Sequence, residues 1–258
     1  MAGSVDLIAP RESLVVIARR RREQVSTRTS RHRLPALLLA GSLFSAPAVA
    51  GDTSELWPEL SAFIQMTPRT RMYLDASYAR GQESDGRTLD LSGAVDVSLE
   101  PLVREQLRGD DWQRSRFLWT RVGYTRVLKE SDGSTSVAED RVFAALLAKG
   151  ELPAQVWVEG RLRADLRWID GDYSTRARLR VELNREFTVH EHAVVAYVQM
   201  EGFYDSRYQG LSRMLYQPGV EIALDSHFRL ELYLARQDDR LPKKESLNAF
   251  GLVAKWYY

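Results

Sequence analysis

The chain of 258 residues carries 36 basic and 35 acidic side chains, a formal charge of +1, and no cysteine. Without thiols there is no disulfide framework, thiol catalysis or thiolate metal site. Eight arginines and three acids fall within residues 1–50, so the other 208 residues hold 28 basic and 32 acidic side chains, a formal charge of −4, and give no argument for nucleic acid binding.

Residues 1–50 open with the basic runs Arg19–Arg22 and Arg31-His32-Arg33, then the apolar stretch LPALLLAGSLFSAPAVA. That stretch ends in Ala48-Val49-Ala50, a small-x-small pattern, and predicts a secretory signal cleaved after Ala50. A membrane-anchoring helix is the weaker reading, because the stretch is shorter than the ~20 apolar residues required and is broken by Pro35 and Pro47. The leader is longer than a signal needs, which places the expected translation start downstream of Met1.

After Gly51 no 18-residue apolar run occurs, which excludes helical membrane spans. Period-two alternation recurs instead, in segments separated by turn residues. Leu89, Leu91, Val95, Val97 and Leu99 alternate with Asp90, Ser92, Asp96 and Ser98. In Gln155 to Trp168, Val156, Val158, Gly160, Leu162, Ala164, Leu166 and Trp168 alternate with Glu159, Arg161, Arg163, Asp165 and Arg167. From Tyr173, Ala177, Leu179, Val181 and Leu183 face one way and Arg176, Arg178, Arg180 and Glu182 the other. Further segments follow at Val194–Met200, Met214–Leu224, Phe228–Leu234 and Phe250–Tyr258.

Alternation alone also fits a soluble barrel with an apolar core. Three features favour a transmembrane one. A charge on lipid at mid-depth costs roughly 2–4 kcal/mol, so a densely charged face must turn inward. Aromatic residues sit at segment ends, at Trp57, Tyr78, Trp168, Tyr173, Phe228, Trp256 and Tyr258, where interfacial girdles belong. The last segment is a strand to its final residue, as closure against the first strand requires. The expected fold is an all-β, antiparallel up-and-down transmembrane barrel over residues 51–258. Eleven segments are countable, and the even-number habit of bacterial barrels favours twelve, within ten to twelve, with the missing one near Gly51 to Trp57. If the last strand descends to the periplasm, the stretches near 81–87, 129–136, 169–172, 205–210 and 237–245 face outward, and those near 67–69, 101–115, 152–153, 189–192 and 225–226 face the periplasm.

A two-residue turn at Gly171-Asp172 would set Asp165 against Arg178, Arg161 against Glu182 and Arg163 against Arg180. Sliding by two would put Arg161 on Arg180, Arg163 on Arg178 and Glu159 on Glu182. Directly opposed like charges are penalised in sheets, so the first register is expected.

The runs GRLRADLRW, TRARLRVELN, VVAYVQMEGFYD, YQPGVEIAL and FRLELYLARQ, with the aromatic terminus, resemble the bacterial outer-membrane barrels grouped as domain of unknown function 2490. The likeness spans most of residues 51–258 and is strongest from Leu152 to Tyr258. It implies an outer-membrane barrel in a Gram-negative bacterium and transfers no site residue.

No nucleophile elbow, phosphate loop or Walker lysine is present. His190, His192 and His227 fall at expected turns, and two imidazoles beside Glu191 without a third ligand read as solvated turn residues rather than a metal site. The expectation is a non-enzymatic protein without cofactor or metal. The candidate functional surface is the charged stripe: Glu159, Arg161, Arg163, Asp165, Arg167, Arg176, Arg178, Arg180, Glu182 and Glu201. Two readings of it stay open, a narrow porin-like channel favouring small anionic solutes and a salt-bridged plug. Phe250, Leu252, Trp256 and Tyr258 form the expected signal for the outer-membrane insertion machinery, with membrane lipid and periplasmic chaperones as further partners. The alternatives are a lipid-modifying outer-membrane enzyme and a periplasmic soluble barrel that binds an apolar ligand.

Overall fold

The computed structural model describes residues 53–81, 86–99, 116–130, 137–190 and 192–258. The expected signal segment and the expected turn at 101–115 lie outside these residues. Eleven strands follow in chain order: β1 (Thr53–Thr67), β2 (Thr70–Gly81), β3 (Arg87–Ser98), β4 (Leu118–Glu130), β5 (Val137–Leu152), β6 (Val156–Ile169), β7 (Asp172–Val189), β8 (His192–Asp205), β9 (Gly210–Ala223), β10 (Phe228–Asp239) and β11 (Glu245–Tyr257). Each pairs antiparallel with the next in sequence, and β1 closes the barrel against β11. Eleven is one fewer than the favoured even count, and the odd number makes the closing pair parallel, with Leu56 beside Phe250 and Ala62 beside Trp256. The region near Trp57 thus belongs to β1 itself.

Alternation sorts the side chains onto two faces. Leu60, Val122, Leu162, Leu179 and Val198 are all more than half exposed on the outer wall, whereas Asp96, Glu201 and Asp205 are wholly buried inside. Trp168 and Tyr173 pack together at one rim, and Trp256 and Tyr258 at the other. Trp57 departs from the expected girdle: it turns inward, lines the lumen and packs against a cluster that includes Tyr197, Tyr233 and Val253.

The β6–β7 register is the one the sequence reading disfavours. Asp165 stands opposite Arg176, Arg163 opposite Arg178, Arg161 opposite Arg180 and Glu159 opposite Glu182. The turn residues are Asp170 and Gly171, not Gly171 and Asp172, and both have positive φ, 51° and 91°. A two-residue hairpin turn with both residues in the left-handed region is what Asp-Gly favours. The arginine pairs persist because Glu201 of β8 serves Arg161, Arg178 and Arg180, and Asp165 holds Arg163.

Close approach explains two further positions. Tyr197 lies over Gly219 and Tyr233 over Gly251, each the residue directly across the ladder. A Cβ on Gly251 would sit 2.0 Å from the Tyr233 ring. These tyrosines lie flat on the wall and leave the middle of the barrel open.

Candidate functional site: the barrel lumen

The barrel has two ends, named here by their turns: the Gly171 end, with Ser206–Gln209 and Arg240–Lys244, and the Pro153 end, with Pro68-Arg69 and Leu224–His227. Near the Gly171 end the inner face holds a chain of ion pairs. Arg141 joins Glu139 at 2.6 Å and Asp90 at 3.4 Å. Arg167 joins Glu139 and, at 2.6 Å, Asp205. Asp205 also takes Arg176 at 2.9 Å and Arg207 at 3.2 Å. Two of these links skip a strand. Arg141 of β5 passes over β4 at Thr125, and Arg167 of β6 passes over β7 at Ser174, each small residue being the ladder partner of the arginine that crosses it. A longer side chain at either place would occupy the path.

Below this layer, one carboxylate serves three arginines. Glu201 accepts from Arg161 at 2.9 Å and Arg178 at 2.8 Å through Oε1, and from Arg180 at 2.9 Å through Oε2. Arg163 is held by Asp165 at 2.6 Å and lies 3.8 Å above the Phe143 ring, while Arg178 lies 4.6 Å above Phe203. Guanidinium stacking on an aromatic face adds attraction without another carboxylate. On β3, three strands from β6, Asp96 is gripped by Arg71 at 2.6 Å and Arg121 at 2.6 Å, and these stack over Phe63 and Tyr73.

Between the ion-pair layer and the Pro153 end lies a cavity of about 890 Å³. Its lining reaches Leu152, Gln155, Glu186, Ala193 and Ala223 beside the Pro153-end turns, and omits Glu139, Arg167, Arg176 and Asp205 at the other. Among the described residues the lumen is therefore a cup, floored by ion pairs and uncovered at the Pro153 end. Its wall carries ten cationic and nine anionic side chains among the described residues, so no large net field selects anions. Of the stripe read from sequence, Glu159, Arg161, Arg163, Arg178, Arg180 and Glu182 line the cup. Asp165, Arg167, Arg176 and Glu201 do not; they belong to the ion-paired wall and floor.

The opposite wall, from β1, β2 and β9–β11, is acidic and was missed. Ser61 reaches Glu59 at 3.0 Å and Asp75 at 2.8 Å, and Tyr73 donates to Asp75 at 2.9 Å. Neither carboxylate has a cation within ion-pair distance among the described residues. Next to them Lys255 bridges Glu221, at 2.6 Å, and Glu231, which also accepts from Tyr197. Arg229 holds Glu221 at 2.8 Å. Polar residues two apart on one strand, such as Glu59 and Ser61 or Glu139 and Arg141, were the available signal, but the alternation around them is weak.

The histidines stay at turns. His192 Nδ1 is 3.1 Å from the Ala223 carbonyl, and the Ser226 hydroxyl is 2.8 Å from His227 Nδ1. Asp225 accepts the backbone N–H groups of His227 and Phe228, both at 2.7 Å, and so does not orient the imidazole. Those two donors hold the exposed Asp225 carboxyl below the usual carboxylate range. No group of three or more candidate metal ligands occurs among the described residues. Phe250, Leu252, Trp256 and Tyr258 all stand on the outer face.

The family profile described as "Protein of unknown function (DUF2490)" matches residues 54–248. No curated protein matches the chain. Among solved structures it is similar to the crystal structure of the beta domain of the Bordetella autotransporter Brka, with 16% identity and a TM-score of 0.46, covering 72% of this chain and 83% of that one.

Proposed function

The chain belongs to the DUF2490 family of proteins of unknown function, matched over residues 54–248, and from that premise we propose that it is a non-enzymatic β-barrel of the bacterial outer membrane, closed across its Gly171 end and open as a charged cup at its Pro153 end. The observation that carries this is the inverted wall: apolar side chains outside, ionised ones inside. Burial of apolar surface is worth about 25 cal/mol per Å², so a wall of exposed Leu and Val is costly in water and comfortable in hydrocarbon. The inward charges avoid the roughly 2–4 kcal/mol that each would cost against lipid. This favours the membrane over a soluble periplasmic barrel, whose apolar residues would face inward.

The cleaved N-terminal signal delivers the chain, periplasmic chaperones carry it, and Phe250, Leu252, Trp256 and Tyr258 engage the insertion machinery on the outer face of the closing strand. The Pro153 end faces the periplasm. A porin-like path for small anions would have to cross the layer of Glu139, Arg167 and Asp205, whose charges are committed to one another. The plug reading is therefore preferred to the open channel, and the balanced cup gives little reason for anion preference. The enzyme reading is disfavoured because the histidines sit at turns and none lines the cup among the described residues.

The test is the refolded chain, residues 51–258, in detergent and then in a planar bilayer. A heat-modifiable gel band and a silent bilayer are expected. Steady conductance steps would overturn the closed lumen, and a chain that neither shifts on heating nor enters liposomes would overturn the membrane reading.

A further inference from the structure

Glu59 of β1 and Asp75 of β2 meet on the inner wall through Ser61, and the protons between them can be counted. Three oxygen contacts link the group: Ser61 Oγ to Glu59 Oε1 at 3.0 Å, Ser61 Oγ to Asp75 Oδ1 at 2.8 Å, and Tyr73 Oη to that same Asp75 Oδ1 at 2.9 Å. Each is of hydrogen-bond length and needs a proton between its oxygens. The serine and the phenol bring one proton each, and an ionised carboxylate brings none. Two protons cannot serve three contacts, so the third belongs to a carboxyl group. Ser61 is only 2% exposed, so water does not relieve the shortage.

The surroundings do not force both acids to ionise. The charges that face them are Asp90 from β3, Arg121 from β4, Glu231 from β10 and Lys255 from β11, with the Tyr73 and Tyr233 hydroxyls. Arg121 is held by Asp96, and Lys255 by Glu221 and Glu231. Two carboxylates brought together without a cation repel, and sharing one proton removes the repulsion.

The backbone beside the pair is interrupted. The β1–β2 ladder matches Leu56 with Arg80 and next Glu59 with Ser77, skipping Trp57 and Pro58, and proline has no N–H to give. Side-chain links through Ser61 therefore carry part of the adhesion between the two strands here.

We propose that Glu59 and Asp75 hold one proton between them at neutral pH and form a pH-sensitive latch between β1 and β2. Glu59 O–H donates to Ser61, Ser61 donates to Asp75, and Tyr73 donates to Asp75. Loss of the shared proton at alkaline pH leaves two carboxylates on one hydroxyl and loosens the wall beside Trp57. In the unfolded chain both acids are ionised above about pH 5. The folded barrel then binds one proton more than the unfolded chain, so this pair's contribution to stability falls as the pH rises, until the proton is lost. The inference rests on the barrel and cup described above.

The test is infrared spectroscopy of the refolded chain, residues 51–258, in detergent, following the carbonyl stretch of protonated carboxyl groups against pH. The parent should show such a band at neutral pH and lose it at alkaline pH, and both Glu59→Gln and Asp75→Asn should lack it at neutral pH. Glu59→Gln keeps a donor to Ser61 without a titrating proton, so its urea midpoint should fall less between neutral and alkaline pH than the parent's. A parent without the band at neutral pH overturns the proposal, as does a band that both variants retain or a Glu59→Gln midpoint that keeps the parent's pH course. Heat-modifiable mobility is scored on each sample. A barrel that folds without the band sinks this inference alone, whereas a chain that forms no barrel sinks the membrane reading with it. The parent's titration needs no variant, so a misfolded Asp75→Asn does not protect the idea.

Discussion

The two ends of the lumen use the same residue types to opposite effect. At the Gly171 end, arginines reach across intervening strands and their carboxylates are shared, so charge becomes a floor. In the cup Arg161 and Lys255 also reach over a strand, to Glu201 and Glu221, but no ion pair spans the lumen among the described residues, and Tyr197 and Tyr233, laid flat on Gly219 and Gly251, keep the centre clear. The arginine count does not separate the regions. The neutral residues between the charges do: Thr125 and Ser174 let an arm cross, and the glycines let a ring lie back.

The largest expected effect comes from removing the carboxylate that serves three arginines. Glu201→Gln keeps the shape and leaves Arg161, Arg178 and Arg180 facing one another unneutralised. Breaking a buried ion pair from one side costs about 3–5 kcal/mol. The urea midpoint of the heat-modifiable band should fall accordingly. An unchanged midpoint would mean that the like-charge register does not depend on β8.

Ser174→Leu is a smaller and sharper probe. The added side chain fills the path of Arg167 towards Asp205, and overpacking typically costs about 1–3 kcal/mol. Asp205 keeps Arg176 and Arg207, so the barrel should survive while the floor loosens. Conductance steps should appear in the variant and be absent from the parent. A silent, equally stable Ser174→Leu would break the account of why this end closes.

How much of this was legible in the sequence depends on the range of the interaction that decides it. The outer wall was, because alternation is a property of neighbours: Leu162, Leu166, Leu179 and Val181 announce their face within one strand. The β6–β7 register was misjudged for two reasons. Asp170-Gly171 is the stronger hairpin signal and was passed over for Gly171-Asp172. Counting like-charge pairs between two strands also ignores a third, and Glu201 lies 21 to 40 residues from the arginines it neutralises. The acidic wall was hidden for a related reason, since Glu59 and Asp75 belong to strands whose polar and apolar positions alternate weakly. The odd strand count escaped because a parallel closing pair leaves no mark in either strand, and Trp57 was assigned by its place at a segment end although its parity with Glu59 and Ser61 points it inward.

The smallest effect belongs outside the lumen, at the β9–β10 turn, and it separates local pairing from the shared pairing inside. Asp225 accepts two backbone N–H groups at 2.7 Å, from His227 and Phe228, and its carboxyl is held below its ordinary value by them. A carboxyl depressed in the folded state contributes stability that is fully present above its unfolded value of about 3.9 and is lost as pH falls through the lower folded value. Protection of those two amides from hydrogen exchange should therefore weaken on acidification below about pH 4. In Asp225→Asn the amide oxygen still accepts but carries no titrating charge, so protection should be slightly lower at neutral pH and flat on acidification. Because the Asp225 carboxyl bonds only to His227 and Phe228 of its own turn, the urea midpoint of the barrel should stay where it was, and a shift as large as that of Glu201→Gln would mean that the turn is coupled to the lumen after all.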